Sequence, residues 1–162
     1  MEYRDKYTPT DIKVIFILES PPEGHGFVYD PNGHTGEVLF RTFMKLIGLA
    51  PKTKEEGLEA LKQKGILLIN PTYVPVNKLK DTEADKIIMG NYDNFVDDLL
   101  VHNPKKQIPL ILVKANICRL LNDPLKKDGF AVLNDGVMIP FPVHYHQERF
   151  HKLVSEMIKG II

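Results

Sequence analysis

The chain has 162 residues, 43% of them hydrophobic, and its 21 Lys plus Arg are balanced by 21 Asp plus Glu. That size and apolar content predict a single domain over residues 1–162 with a sizeable core. The zero net charge offers no global attraction to nucleic acid or anionic lipid, so any such binding must rest on a local patch. One cysteine, Cys118, excludes an internal disulfide framework and metal centres built on several thiolates. No metal is expected, because His25, His34, His144 and His146 follow no compact ligand spacing, and Cys118 reads as a small buried hydrophobe. The opening MEYRDKYTPTD lacks the apolar stretch of a signal peptide, and no run approaches the roughly 18 apolar residues needed to cross a bilayer. A cytoplasmic monomer with no membrane partner is expected.

Taken in chain order, Lys13 to Leu18 is a continuous apolar run and predicts a strand buried on both faces. Pro21 to Thr35 follows as a long Gly-rich loop, a length that often marks function. Leu39, Phe43, Met44 and Ile47 recur at helical spacing and place a helix over about Gly36 to Ile47, closed by Gly48. A shorter helix covers Lys54 to Gln63, and Ile66 to Ile69 is the second strand. Ile88, Tyr92, Phe95 and Leu99 make one further helical stripe, with Thr82 and Asp85 resembling a capping box at its start. Ile108 to Val113 is the third strand and Ala115 to Leu121 a short helix. Val137 to Phe141 reads as a fourth strand, with Phe130 to Leu133 as its antiparallel partner across the Asn134-Asp135-Gly136 turn. Phe150, Leu153, Val154, Met157 and Ile158 stripe the last helix. Strands alternating with helices predict an α/β fold, a three-layer α/β/α sandwich around a short, mainly parallel sheet of about four strands.

Two strand ends carry polar groups: Leu18-Glu19-Ser20-Pro21-Pro22 after the first strand, and Asn70-Pro71 after the second. In an open α/β sheet, ligands bind beyond the carboxyl ends of the strands, so these ends predict one pocket. Each also has a plainer reading. Glu19 could cap a neighbouring element, Asn70-Pro71 is a common turn opening, and Phe27 with Tyr29 could anchor the long loop. Lys114, Arg119, Lys126 and Lys127 are read as a solvated face rather than as phosphate contacts.

From about Lys13 to Ile158 the succession of segments resembles the uracil-DNA glycosylase superfamily. Leu18-Glu19-Ser20-Pro21-Pro22 stands where the iron–sulfur branch has Gly-Glu-Ala-Pro-Gly, matching at Glu19 and Pro21 and lacking both glycines. Gly26-Phe27-Val28 is similar to that branch's Pro-Phe-Val, whose aromatic stacks on the extruded base. Gly65-Ile66-Leu67-Leu68-Ile69-Asn70 is similar to its Gly-Val-Leu-Leu-Leu-Asn, whose Asn reads uracil. The branch's four cysteines are absent, so the resemblance implies chemistry with no cofactor, and Ser20 stands where the best-known branch has its water-activating Asp.

The resemblance implies hydrolysis of the N-glycosidic bond of uracil or another deaminated base in DNA, the implied partner. A base must leave the stack to be cut, and is then held by stacking and by hydrogen bonds to its edge. The implied substrate-binding residues are Pro21, Phe27, Asn70 and His146. An Asn carboxamide presents an acceptor and a donor on one fork, which suits N3–H and O4 of uracil. Bond breaking gives the sugar oxocarbenium character and leaves negative charge on the base, so a carboxylate beside the sugar and a donor at O2 lower the barrier. Glu19 and Ser20 are implied to hold the water. The donor's place, held by a His-Pro-Ser-Pro motif in the best-known members, falls at Pro140-Phe141-Pro142-Val143-His144-Tyr145-His146. Either the motif aligns with Pro140 to Val143 and lacks its His, or His144 or His146 serves, with His144 favoured. Two other classes stay open: a nucleobase, nucleotide or nucleic-acid binding protein without catalysis, and a hydrolase of small nucleosides.

Overall fold

The computed structural model describes residues 2–162. Its centre is a sheet of three parallel strands, β1 (Val14–Ile17), β2 (Ile66–Ile69) and β3 (Leu110–Leu112), in the order β2-β1-β3. Ile15 is in register with Leu67 on one side and Leu110 on the other. Every strand residue is buried. Because successive side chains point to opposite faces, both faces of the sheet are covered, which is why these strands read as unbroken apolar runs.

Seven α-helices surround the sheet among the described residues: α1 (Glu2–Lys6), α2 (Val38–Leu46), α3 (Lys54–Lys64), α4 (Asp81–Gly90), α5 (Tyr92–His102), α6 (Ala115–Lys127) and α7 (Gln147–Met157). Thr53 caps α3 by accepting from Glu56 N–H at 3.2 Å. Gly65 ends the helix at φ 78°, where an added Cβ would lie 2.7 Å from Asp11 O, so the turn into β2 requires glycine. Gly57 lets α3 approach α2 so closely that a Cβ there would run into the Phe40 ring and sit 2.7 Å from Met44 Sδ.

Three local expectations are corrected. The stripe from Ile88 to Leu99 belongs to two helices, broken at Asn91, whose Nδ2 is drawn 2.7 Å to Pro71 O. Thr82 caps nothing: α4 begins at Asp81, and Asp85 instead accepts from Arg119 at 2.8 Å. The helix expected to stop near Leu121 runs on to Lys127, through Pro124, because Leu121 and Leu125 are both buried and hold it to the core.

The expected fourth strand is the largest correction. The Asn134-Asp135-Gly136 turn forms, with Val137 N–H bonded to Asn134 O at 2.8 Å and positive φ at Asp135 and Gly136, the signature of a type I′ turn. Its two arms do not pair with each other. Residues on the first arm lie parallel to β3 through one bridge, Leu110 to Val132. Asn134 then takes the place of a strand: its Oδ1 accepts from Leu112 N–H at 2.8 Å and its Nδ2 donates to Leu112 O at 2.9 Å. One side-chain amide thus satisfies both backbone groups of Leu112, and β3 has nothing left there for a strand to bind. On the second arm, Ile139 O is claimed by Lys114 N–H at 2.8 Å.

No helix is long and apolar enough to cross a membrane among the described residues.

Candidate functional site

The chain passes from β1 to β2 on one side and then crosses to β3 on the other, so the direction of winding switches between β1 and β3. At such a switch point the two loops leave the sheet in opposite directions and open a crevice at the carboxyl ends. A cleft of about 360 Å³ lies there, walled by Leu18 to Ser20 from the end of β1, Lys114 from the end of β3, the start of α2, and Phe141.

Glu19 is 9% exposed. Both its oxygens accept from Lys114 Nζ at 2.8 Å, and Oε2 also accepts from Asn116 Nδ2 at 2.6 Å. A carboxylate in so little water is held by charge-assisted bonds of this kind. Lys114 reaches it from a backbone with φ 87° and ψ 139°, a region that glycine enters freely and side-chain-bearing residues rarely do. Such a conformation costs on the order of 1–3 kcal/mol and persists where surrounding structure imposes it, typically at functional sites. Here Ile139 O on the lysine's N–H and Glu19 on its ammonium impose it. Lys114 had been expected on a solvated face. Its ion pair with a residue 95 positions away is a tertiary fact with no local signature, and the unusual φ could not be read from the sequence.

Ser20 lines the same cleft, with its Oγ accepting from Val76 N–H at 3.2 Å, which ties the β1 end to the loop after β2. Asn70, at the end of β2, is 6% exposed, and its Oδ1 is buried without a hydrogen-bond partner. Its backbone N–H makes a long 3.5 Å contact to Tyr73 Oη. Tyr73 Oη in turn accepts from Arg4 Nη1 at 2.8 Å, and Arg4 forks onto Asp98 at 2.7 and 2.8 Å. Burial alone would disfavour the guanidinium charge, but Asp98 and Tyr73 outweigh it and raise the Arg4 pKa. A buried Arg on α1 therefore sits two contacts behind Asn70.

The long loop is anchored from below. Lys54, with a fully buried side chain, donates to Phe27 O and to Glu37 Oε1, both at 2.9 Å. Tyr29 Oη accepts from Leu68 N–H of the edge strand β2 at 2.8 Å. Phe27 packs against the core, edge to face with Tyr29 at 6.0 Å, and lies outside the cleft wall, whereas His25 and Gly26 are within it. Of the remaining expected site residues, Pro21 is outside the wall while Pro22 is in it. His144 is exposed at φ 51° and opens a short 3-10 turn, His144–His146, that follows Phe141. Neither His144 nor His146 lines the cleft; the aromatic there from this segment is Phe141. The structure thus brings Glu19 and Ser20 together with Lys114 and Phe141, and keeps Asn70 buried at the neighbouring strand end. Among the described residues no group of three or more His, Cys, Asp or Glu could hold a metal. Cys118 is buried, its pKa raised by that burial.

Two histidines outside the cleft give the protein a pH dependence. Burial, and then the charge of Arg4, lowers the pKa of His102, which lies 3.8 Å from Asp98. Burial, and then Lys45, lowers that of His151. A histidine whose folded-state pKa is below its unfolded value of about 6.5 resists protonation, so its stability contribution is complete above that value and is lost as pH falls through the lowered pKa. Urea midpoints measured from above pH 6.5 down to about 5 should therefore fall, and a His102→Gln/His151→Gln variant should fall less. An unchanged slope in the variant would assign the effect elsewhere.

The chain matches no family model, and no curated protein or solved structure is significantly similar to it.

Proposed function

We propose that this protein hydrolyses the N-glycosidic bond of uracil or another deaminated base, on a three-layer α/β/α fold of the uracil-DNA glycosylase type. The observation that carries the reading is Glu19: a nearly buried carboxylate, held by Lys114 and Asn116, on the wall of a cleft at the β1/β3 switch point. Glu19, oriented by its two partners, and Ser20 hold the attacking water and face the developing oxocarbenium charge. Asn70 is buried at the end of β2 outside the cleft wall, so it reads the base edge once a bound base opens that strand end, and its unpartnered Oδ1 is then the acceptor for N3–H of uracil. Phe141, on the cleft wall, supplies aromatic surface for the base; Phe27, packed on the core, would have to turn outward to stack on it, and His144 or His146 would reach O2 through a swing of the turn after Phe141. Pro21 shapes the exit from β1.

One observation favours a second substrate class. The charges at the cleft pair off, Glu19 with Lys114 and Glu37 with Lys54. A charge-balanced wall suits a neutral base or free nucleoside as well as a polyanion. The test therefore has two arms: oligonucleotides, single-stranded and duplex, carrying uracil, hypoxanthine or xanthine, followed by cleavage at abasic sites; and free deoxyuridine and uridine, followed by chromatography of the released base. Base release from oligonucleotides supports the DNA reading, release from nucleosides alone supports the small-molecule one, and release from neither leaves a binding protein. If uracil is cut, Asn70→Asp should relax discrimination against cytosine, since a protonated or reoriented carboxyl can pair with the cytosine edge. Unchanged selectivity would remove Asn70 from base reading.

A further inference from the structure

We propose that Lys114 is an amine nucleophile that forms a Schiff base with the C1 aldehyde of an open-chain deoxyribose, with Glu19 moving the protons. This deepens the reading above and rests on it for the choice of sugar, because an abasic deoxyribose is what base hydrolysis leaves behind.

Three features of Lys114 point this way. It stands on the cleft wall with its side chain 37% exposed, so an incoming carbonyl can reach it. Its Nζ is 2.8 Å from both oxygens of a carboxylate on the same wall, so a proton acceptor is already in contact. Its backbone is held at φ 87°, which fixes the origin of the side chain at the end of β3. Three other ion-paired lysines differ in kind. Lys54 is sealed in the core on Glu37, and Lys13 and Lys78 pair with well-exposed acids out in solvent.

The chemistry closes on these two groups. As the sugar aldehyde enters the cleft, Glu19 takes one Nζ proton across their 2.8 Å contact. The freed amine adds to C1, forming the N–C bond while the carbonyl π electrons move to oxygen, which takes a proton from nitrogen. Glu19 gives its proton to that hydroxyl, water leaves, and a protonated imine stands beside a carboxylate. The net change is ammonium plus aldehyde to iminium plus water, with no oxidant or reductant. In an abasic strand the iminium then acidifies the C2 proton. Glu19 takes it, a C2–C3 double bond forms, and the C3–O bond breaks to expel the phosphate, so the strand is cut.

Sodium cyanoborohydride, which delivers hydride to an iminium carbon, tests this on the whole protein with two probes, free 2-deoxyribose and an oligonucleotide bearing one abasic site. The expected result is a reduced adduct confined to the peptide containing Lys114. Glu19→Gln should form it about 100-fold more slowly, and Lys114→Arg, which keeps a cation on Glu19, should lose it while retaining the wild-type circular dichroism spectrum. Mapping the adduct on the wild-type chain keeps the test decisive if either variant fails to fold. Failure to trap either probe, or comparable labelling of Lys13 and Lys78, overturns the proposal. Base release in the hydrolysis assay without an adduct overturns the lysine and leaves the hydrolysis; an adduct at Lys114 without release of any base tested there upholds the lysine and removes the hydrolysis.

Discussion

Arg4→Ala is expected to lower the unfolding free energy by about 3–5 kcal/mol, the usual cost of leaving one member of a buried, hydrogen-bonded ion pair alone. The Arg4 side chain is 3% exposed and that of Asp98 17%, so removing the guanidinium leaves a carboxylate with little water and only His102, 3.8 Å away, beside it. Tyr73 loses its donor at the same time. Against a total stability typically near 5–15 kcal/mol, the loss is large enough to be unmistakable as a shift of the urea midpoint. Arg4→Met combined with Asp98→Leu should recover much of it, because no charge is then stranded. A shift below about 1 kcal/mol in the single variant would show that the pair contributes no more than an exposed one. Since Tyr73 also touches the Asn70 backbone, the double variant carries a second readout: if α1 helps to position Asn70, base selectivity should weaken even where stability returns.

Glu19→Gln is expected to reduce turnover by about 10²–10⁴-fold in whichever arm of the hydrolysis assay is active, the usual range for losing a positioned acid–base group. Glutamine has nearly the same shape and keeps an oxygen to accept from Lys114, so the fold should be unchanged by circular dichroism and base binding should persist. Turnover within a few-fold of wild type would take Glu19 out of the chemistry and leave it as the partner that holds Lys114 in its unusual backbone.

The three strands and most helices were legible because their signals are local. Val14 to Ile17, Ile66 to Ile69 and Leu110 to Leu112 are apolar runs whose burial on both faces follows from composition alone. The helix expected over Lys54 to Gln63 is α3, Lys54–Lys64. The segment after α6 was misread because its turn is local and its pairing is not. Asn134-Asp135-Gly136 does bend the chain, yet whether the arms pair with each other or with something else depends on what β3 offers, and Asn134 reaches Leu112 across 22 residues. No propensity carries that information.

The site divides in the same way. That Glu19 and Ser20 follow one buried strand and Asn70 another is written in the order of residues, and the parallel sheet puts all strand ends on one side. What Glu19 meets there was decided only by the packed chain. The order β2-β1-β3 opens the crevice between β1 and β3 and not beside β2, so Lys114 and Phe141 complete its wall, while Asn70, Phe27, His144 and His146 lie outside it. Sequence by itself determined which segments are buried and which polar groups end them, because burial and turn chemistry act over a few residues. The tertiary structure alone decided their partners, because hydrogen bonds and ion pairs between residues tens of positions apart depend on where the sheet places them, and the spacing of residues along the chain holds no record of that distance.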